Sequence, residues 1–299
     1  MEPFWPRRSP HFLACRRAVR PFEGPAVIGL SGGPDSLALV AAAAAEGKDV
    51  RAVVVDHQLQ PGSSEVAARA AAQARAFGVE AEVVAVDVAA GNVEAAARRA
   101  RYAALFARGR EVWVAHTADD QAETLLLGAL RGNPAGMAPA EEREEGRLVR
   151  PFLQLRRADT VGACAELGLD AWHDPMNDDP AFRRVALRTH VIPALSKLLG
   201  GDAVPPLAAT ADRIAQARAV LDAPLGPPTT RCDQLAGEDV VARRRRLATW
   251  LLAEGVPIQS DQLDAIDALV TRWRGQGPVH VAGGEVARVD GRLVLRRSC

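Results

Sequence analysis

The residues with the clearest chemistry are Ser31-Gly32-Gly33-Pro34-Asp35-Ser36. They follow an apolar run, Val27-Ile28-Gly29-Leu30, and precede an alanine-rich stretch at 37–45. Strand, glycine turn and helix start together turn unpaired backbone N–H groups and a positive helix end toward an anion. Gly32 and Gly33 permit a tight turn and a close approach of backbone to ligand. Pro34 suits a first helical position, where its missing N–H costs nothing. The loop is neither the G-x-x-x-x-G-K-[ST] phosphate loop nor the G-x-G-x-x-G dinucleotide fingerprint. The bland alternative is an ordinary strand-to-helix turn.

A second cluster is His116-Thr117-Ala118-Asp119-Asp120-Gln121-Ala122-Glu123. Asp120 and Glu123 are three apart and share a helix face. Paired carboxylates there suit a magnesium ion or a substrate amino group, while Thr117 or Asp119 can cap the helix. A third cluster holds Asn92, Glu94, Arg98 and Arg101, with an acid and two guanidiniums at helical spacing; its alternative is a solvated ion-pair face. His57 follows Asp56 at the end of another apolar run. His173, His190 and His280 show no metal-like pairing, and Ser31 and Ser36 lack the G-x-S-x-G context of a serine hydrolase.

These residues need a scaffold, and the pattern supplies one. Short apolar runs at 26–30, 50–56, 82–86, 111–115 and 148–149 alternate with helical patterns at 37–45, 64–77, 92–108, 119–130 and 157–167. A short basic amphipathic helix at 11–20 precedes them. Alternation of this kind predicts a parallel sheet with right-handed crossovers, and ligands in such sheets bind beyond the strand C-termini. Residues 31–36, 56–57 and 116–120 therefore fall on one rim. Residues 141–147 read as a charged loop and 172–180 as a turn-rich stretch. Helices are predicted from 182 toward 199, bent near Pro193, and at 207–221, 240–252 and 260–273, with a linker at 224–228. Apolar alternation around Asp290-Gly291 signals a C-terminal hairpin. The expectation is an α/β domain at 1–222 and a smaller, mainly helical α+β module at 223–299.

Composition sets limits. The chain has 299 residues, zero formal net charge and 48% hydrophobic residues, which fits a folded core and gives no global argument for nucleic acid. Lys48 and Lys197 are its only lysines, so arginine carries nearly all the positive charge. The four cysteines are scattered, without a C-x-x-C, as suits a reducing cytoplasm. No secretory signal or membrane-length apolar run is visible.

The loop resembles the S-G-G-x-D-S pyrophosphatase loop of ATP-dependent adenylating enzymes. Taken in order, S-G-G-P-D-S (31–36), D-H-Q-L-Q-P (56–61), G-N-V-E-A-A-A-R-R-A-R-Y (91–102) and H-T-A-D-D-Q-A-E-T-L-L-L (116–127) resemble the tRNA(Ile)-lysidine synthetase family. R-P-F-L-Q-L-R-R (150–157) and W-H-D-P-M-N-D-D-P-A-F-R-R (172–184) extend the likeness over roughly residues 25–200. The resemblance implies a PP-loop fold, akin to adenine nucleotide α-hydrolases, in the short form without an additional C-terminal tRNA-binding domain. It implies ATP and Mg2+, free L-lysine, and a minor isoleucine tRNA with a CAU anticodon. Cytidine 34 of that tRNA would be adenylated and then converted to lysidine.

Carried over by motif, Ser31, Gly32, Gly33, Pro34, Asp35 and Ser36 would hold ATP, with Asp35 near magnesium. His57 and His116 would line the nucleotide pocket, and Asp120 and Glu123 would receive the lysine amino group. Asn92, Glu94, Arg98 and Arg101 would face the anticodon loop or phosphates. The four arginines Arg243, Arg244, Arg245 and Arg246 are the candidate tRNA phosphate patch, with a solvated charged face as the alternative. Departures from the family pattern are Gln60, the shortened Gly132-Asn133-Pro134-Ala135-Gly136 and Val185. Rival readings are a PP-loop tRNA thiolase, an ammonia-using synthetase and a nucleotide-binding regulator without chemistry. The sequence is compatible with a homodimer and does not fix the oligomeric state.

Overall fold

A computed structural model describes residues 5–6, 8–58, 62–86, 93–174, 182–221, 229–257 and 259–297. The chain divides into two compact units, 1–216 and 217–299, where the sequence suggested a boundary after 222.

In the first unit, α1 (Pro10–Val19) precedes the alternation β1 (Ala26–Gly29), α2 (Pro34–Ala45), β2 (Val50–Asp56), α3 (Ser63–Ala76), β3 (Glu80–Ala85), α4 (Val93–Phe106), β4 (Glu111–Trp113) and α5 (Ala118–Ala129). Then come β5 (Ala140–Glu142), β6 (Arg147–Val149) and α6 (Arg157–Glu166). The six strands are ordered β3-β2-β1-β4-β6-β5, and all pairings are parallel except β5 with β6. Ile28 of β1 stands between Ala52 of β2 and Trp113 of β4. Strand order reverses at that point, which opens a crevice beyond the C-terminal ends of β1 and β4.

Helices cover both faces. One face packs α1, α2, α3 and α6 around Phe12, Leu37, Leu39, Ala70 and Phe152. The other packs Tyr102 and Leu105 of α4 on Val27, Val53, Val112 and Leu148. Residues 36–43 of α2 are all buried, which explains why this helix is made of alanine, leucine and valine with no polar stripe.

Two sequence expectations are corrected here. Residues 140–142 are a strand rather than part of a charged loop; their carboxylates mislead because an edge strand needs only one apolar side. The predicted helix near 182–199 is not simply bent. It runs as α7 (Arg183–Ala186), a π-helical turn (Leu187–Val191) and α8 (Ile192–Leu199). Pro193 cannot donate to the preceding turn, and widening that turn relieves the clash of its ring. The unit ends with α9 (Val204–Leu221), which runs past the boundary between the units. A Cβ at Gly136 would overlap the Ala211 carbonyl of α9, so glycine is required where the shortened 132–136 segment crosses.

The second unit contains α10 (Cys232–Ala236), not foreseen from sequence, then α11 (Val240–Ala253), α12 (Ser260–Thr271) and an antiparallel sheet β7 (Val279–Val281), β8 (Gly284–Val289), β9 (Arg292–Arg297). Leu235, Leu247, Leu251, Ile266 and Val286 form its core.

Candidate active site

The Ser31–Ser36 loop leaves β1 at the crevice and is locked by its own side chains. Ser31 N donates to Ser36 Oγ at 3.1 Å, and Ser36 Oγ donates to the Gly33 carbonyl at 3.0 Å. Gly32 has φ +84°, a left-handed conformation that favours glycine. Its carbonyl accepts from Trp172 N at 2.9 Å, so Trp172 braces the loop. Gly33 caps α2 and Pro34 opens it.

Across the crevice, the segment after β4 begins α5 with a capping box. Asp120 Oδ2 accepts from Thr117 N at 2.8 Å and from Thr117 Oγ1 at 2.9 Å. Asp120 Oδ1 accepts from Arg157 Nη2 at 2.7 Å. Glu123, one turn on, is 0% exposed. It meets Arg157 Nη1 at 3.3 Å, Arg184 Nη1 at 3.4 Å and Arg188 Nε at 2.9 Å. Asp119 points the other way and holds the start of α6, taking Arg157 N at 2.8 Å and Arg156 Nε at 3.1 Å. Of the two caps the sequence offered, Thr117 is the N-cap, with Asp120 closing the capping box on its N–H, and Asp119 turns to α6 instead.

Asp35 faces this cluster from the loop side. It accepts from the Thr160 hydroxyl and lies 3.6 Å from Arg157 Nε. Burial raises the Asp35 carboxyl above its usual range, and the Asp120 charge adds to this against the pull of Arg157 and Thr160. For Asp120, burial is outweighed by the charge of Arg157 and by the Thr117 donors, so its carboxyl is held below the usual range. Burial depresses His116, whose ring is neutral, and likewise His57, with the Arg101 charge contributing at both. Neither His57 Nδ1 nor His116 Nδ1 has a hydrogen-bond partner.

The remaining expected residues are distributed unevenly. Arg98 and Arg101 lie over the Tyr102 ring at 5.1 and 5.6 Å, together with Arg143 at 4.8 Å. Asn92 lies outside the described residues, as does the side chain of Glu94. In the second unit the four arginines are paired or partly buried rather than openly exposed. Arg243 is 7% exposed and pairs with Asp267 at 2.6 Å; Arg246 pairs with Glu238 at 2.6 Å, and Arg244 with Asp264. Arg245 is half-buried. The reason is the α11–α12 packing, which sets Asp264 and Asp267 opposite successive arginines.

Sequence reasoning assigned no role to Arg157, Thr160, Arg184 or Arg188. Arg157 does end the quoted R-P-F-L-Q-L-R-R string, and Arg184 and Arg188 have the i,i+4 spacing of one helix face.

Residues 16–195 match the family described as the PP-loop domain, and residues 231–294 match the TilS substrate binding domain. The chain is 53% identical over 304 residues to the tRNA(Ile)-lysidine synthase of Corynebacterium glutamicum, covering 98% of this chain and 95% of that one. Against the same synthase from Corynebacterium diphtheriae it is 54% identical over 295 residues, covering 98% and 99%. Against that of Rhodococcus jostii it is 48% identical over 309 residues, covering 97% and 94%. Among solved structures, the U34-tRNA thiolase NcsA from Methanococcus maripaludis, with its [4Fe-4S] cluster, aligns at TM-score 0.55 and 14% identity over 72% of this chain and 80% of that chain. That likeness is one of fold alone. Identity near one half along almost the whole chain is another matter, and on that ground the protein belongs to the tRNA(Ile)-lysidine synthase family, ATP-dependent PP-loop ligases of tRNA modification.

Proposed function

We propose that the chain adenylates O2 of cytidine 34 in the CAU-anticodon isoleucine tRNA and then joins free L-lysine to C2, forming lysidine. The observation that carries this reading is the meeting of the Asp35 loop with the Asp120–Glu123 pair at the β1/β4 crevice, the two linked by Arg157. One side offers N–H groups and a helix start to phosphates; the other offers carboxylates to an ammonium.

The order of events follows from the chemistry. Cytosine C2 is a poor electrophile. Its O2 attacks the α-phosphorus of ATP and pyrophosphate leaves, after which the same oxygen departs with AMP. The lysine ε-amino group, having lost a proton, attacks C2 and expels that AMP. The Ser31–Ser36 loop orients the β- and γ-phosphates. Asp120 and Glu123 bind the ammonium and are the carboxylates at hand to take its proton. A lysine ammonium competes there with guanidiniums, and Arg184 and Arg188 supply the cationic counterpart for its α-carboxylate. The anticodon base must leave its stack to enter, which costs little in a single-stranded loop.

Asp35 fits a magnesium ion held by one carboxylate together with substrate phosphates and water. Among the described residues no cluster of three His, Cys, Asp or Glu side chains forms an all-protein metal cage. When bound, the ion neutralises charge on the phosphates.

The thiolase reading is disfavoured by the cysteines. Cys15, Cys164 and Cys232 are buried thiols. Cys164 lies 3.4 Å from the Pro34 carbonyl, but burial raises it to about 12, so it stays protonated and a poor nucleophile. The deciding experiment incubates the protein with ATP, magnesium, radiolabelled lysine and the CAU transcript. Acid-precipitable label that requires ATP and cytidine 34 supports lysidine synthesis. Absent label with tRNA-dependent pyrophosphate release would move the nucleophile to sulfur or ammonia.

A further inference from the structure

Arg157 is the first residue of α6. A cation is unfavourable there, because the helix N-terminus already carries positive partial charge. The side chain is also largely buried, at 21% exposure. Both costs are met by contacts that no other arginine among the described residues of this unit makes. Its three guanidinium nitrogens each face a different carboxylate: Nε faces Asp35 at 3.6 Å, Nη2 faces Asp120 at 2.7 Å and Nη1 faces Glu123 at 3.3 Å. Asp35 lies on α2, Asp120 and Glu123 on α5, and the guanidinium arrives from a third helix. The main chain fixes the fork from behind, with Arg157 N donating to Asp119 Oδ2 at 2.8 Å. The Thr160 hydroxyl lies within hydrogen-bond reach of both the Arg157 carbonyl, at 2.8 Å, and Asp35, and its one proton serves either acceptor.

We propose that Arg157 is a positioning residue serving both half-reactions, holding the loop carboxylate and the acid pair at a fixed separation. This rests on the reading of the chain as a lysidine-forming ligase. A planar fork can face three carboxylates in one plane; the point charge of lysine cannot. Without the fork, three carboxylates on two helices face one another with like charge. Asp35 then turns away from the phosphates, and Asp120 and Glu123 lose the spacing that accepts an ammonium.

Two neighbouring threonines each touch one half of the site only. Thr160 reaches Asp35 and neither acid of the pair, and the Thr117 donors serve Asp120 alone. Variants at those positions therefore give one-sided phenotypes, and Arg157 gives a two-sided one.

The test measures two rates on the full chain. One is tRNA-dependent pyrophosphate release without lysine; the other is lysine incorporation as a function of lysine concentration. Arg157→Lys is expected to lower the first about tenfold and to raise the lysine KM about tenfold. Thr160→Val is expected to change only pyrophosphate release, and Asp120→Asn chiefly the lysine KM. An Arg157→Lys enzyme with one parameter at the wild-type value, or with only a lowered melting temperature, overturns the proposal. Should that variant not fold, the Thr160→Val/Asp120→Asn double variant decides. Coupling through Arg157 makes its effect on pyrophosphate release differ at least about threefold from the product of the single effects, and a simple product overturns it. If the wild-type protein neither releases pyrophosphate with the transcript nor incorporates lysine, it is the lysidine reading that fails.

Discussion

Replacing Arg243 by alanine separates two views of the arginine string on α11. On the surface-patch view, the protein stays folded and loses a phosphate contact. The observed geometry predicts otherwise. The guanidinium meets Asp267 through Nε at 2.6 Å and through Nη2 at 3.4 Å, and donates from Nη1 to the Glu238 carbonyl at 2.8 Å. The side chains are 9% and 14% exposed. Arg243→Ala leaves Asp267 charged, nearly buried and unpaired, a change that costs about 3–5 kcal/mol. In a unit of roughly eighty residues, spanning 217–299, this lowers the melting temperature by at least about 12 °C. Because the chain has two units, the assay is amide exchange followed by mass spectrometry. Peptides from α11 and α12 should lose protection while those from β1 and α2 keep theirs. Arg243→Met with Asp267→Leu removes both charges and should restore protection to within about 1.5 kcal/mol, without altering the salt dependence of tRNA binding. Preserved protection in Arg243→Ala, with a salt slope reduced by about one, would refute the buried-pair argument and reinstate the patch.

Other consequences are as direct. Asp120→Ala should raise the lysine KM while largely sparing pyrophosphate release, and should cost about 1 kcal/mol of stability because the same carboxylate closes the α5 capping box on Thr117 N; kinetics and melting of one sample check both. His57 and His116 are held below the ordinary histidine value of 6.5. Their contribution to stability is therefore complete above that pH and is lost as pH falls below it, whereas the depressed carboxylates Asp119 and Asp120 act only below about 4. Melting temperatures measured from about pH 7 to 5 should fall for the wild type and fall less for His116→Asn. Gly136→Ala forces a methyl group into the Ala211 carbonyl of α9 and should cost about 1–3 kcal/mol, read by urea unfolding.

Much of the frame was legible because parallel strands buried on both faces and alanine-rich helices leave unambiguous runs. The S-G-G-P-D-S loop announces itself by glycine spacing, and the acid pair by its three-residue interval. Strand β5 was hidden, since Ala140-Glu141-Glu142 is short, charged and paired on one side only. Arg157 was hidden for a different reason: its carboxylate partners lie 34 or more residues away in sequence, and no local spacing reveals a convergence of three helices. The misreading of Arg243 has the same origin. Four consecutive arginines look solvent-facing until α12 delivers Asp264 and Asp267 against them.

The two rims of the six-stranded sheet also bear on how copies of this chain behave toward one another. One rim is β3, with Glu80 and Glu82; the other is β5, with Glu141 and Glu142. A strand with one open side is a template for another chain, and acidic side chains along it blunt that tendency. Registers that set Glu80 or Glu82 of one copy opposite a rim glutamate of another place like charges across the new seam. Growth of concentrated protein into continuous sheet through these two rims is thereby disfavoured.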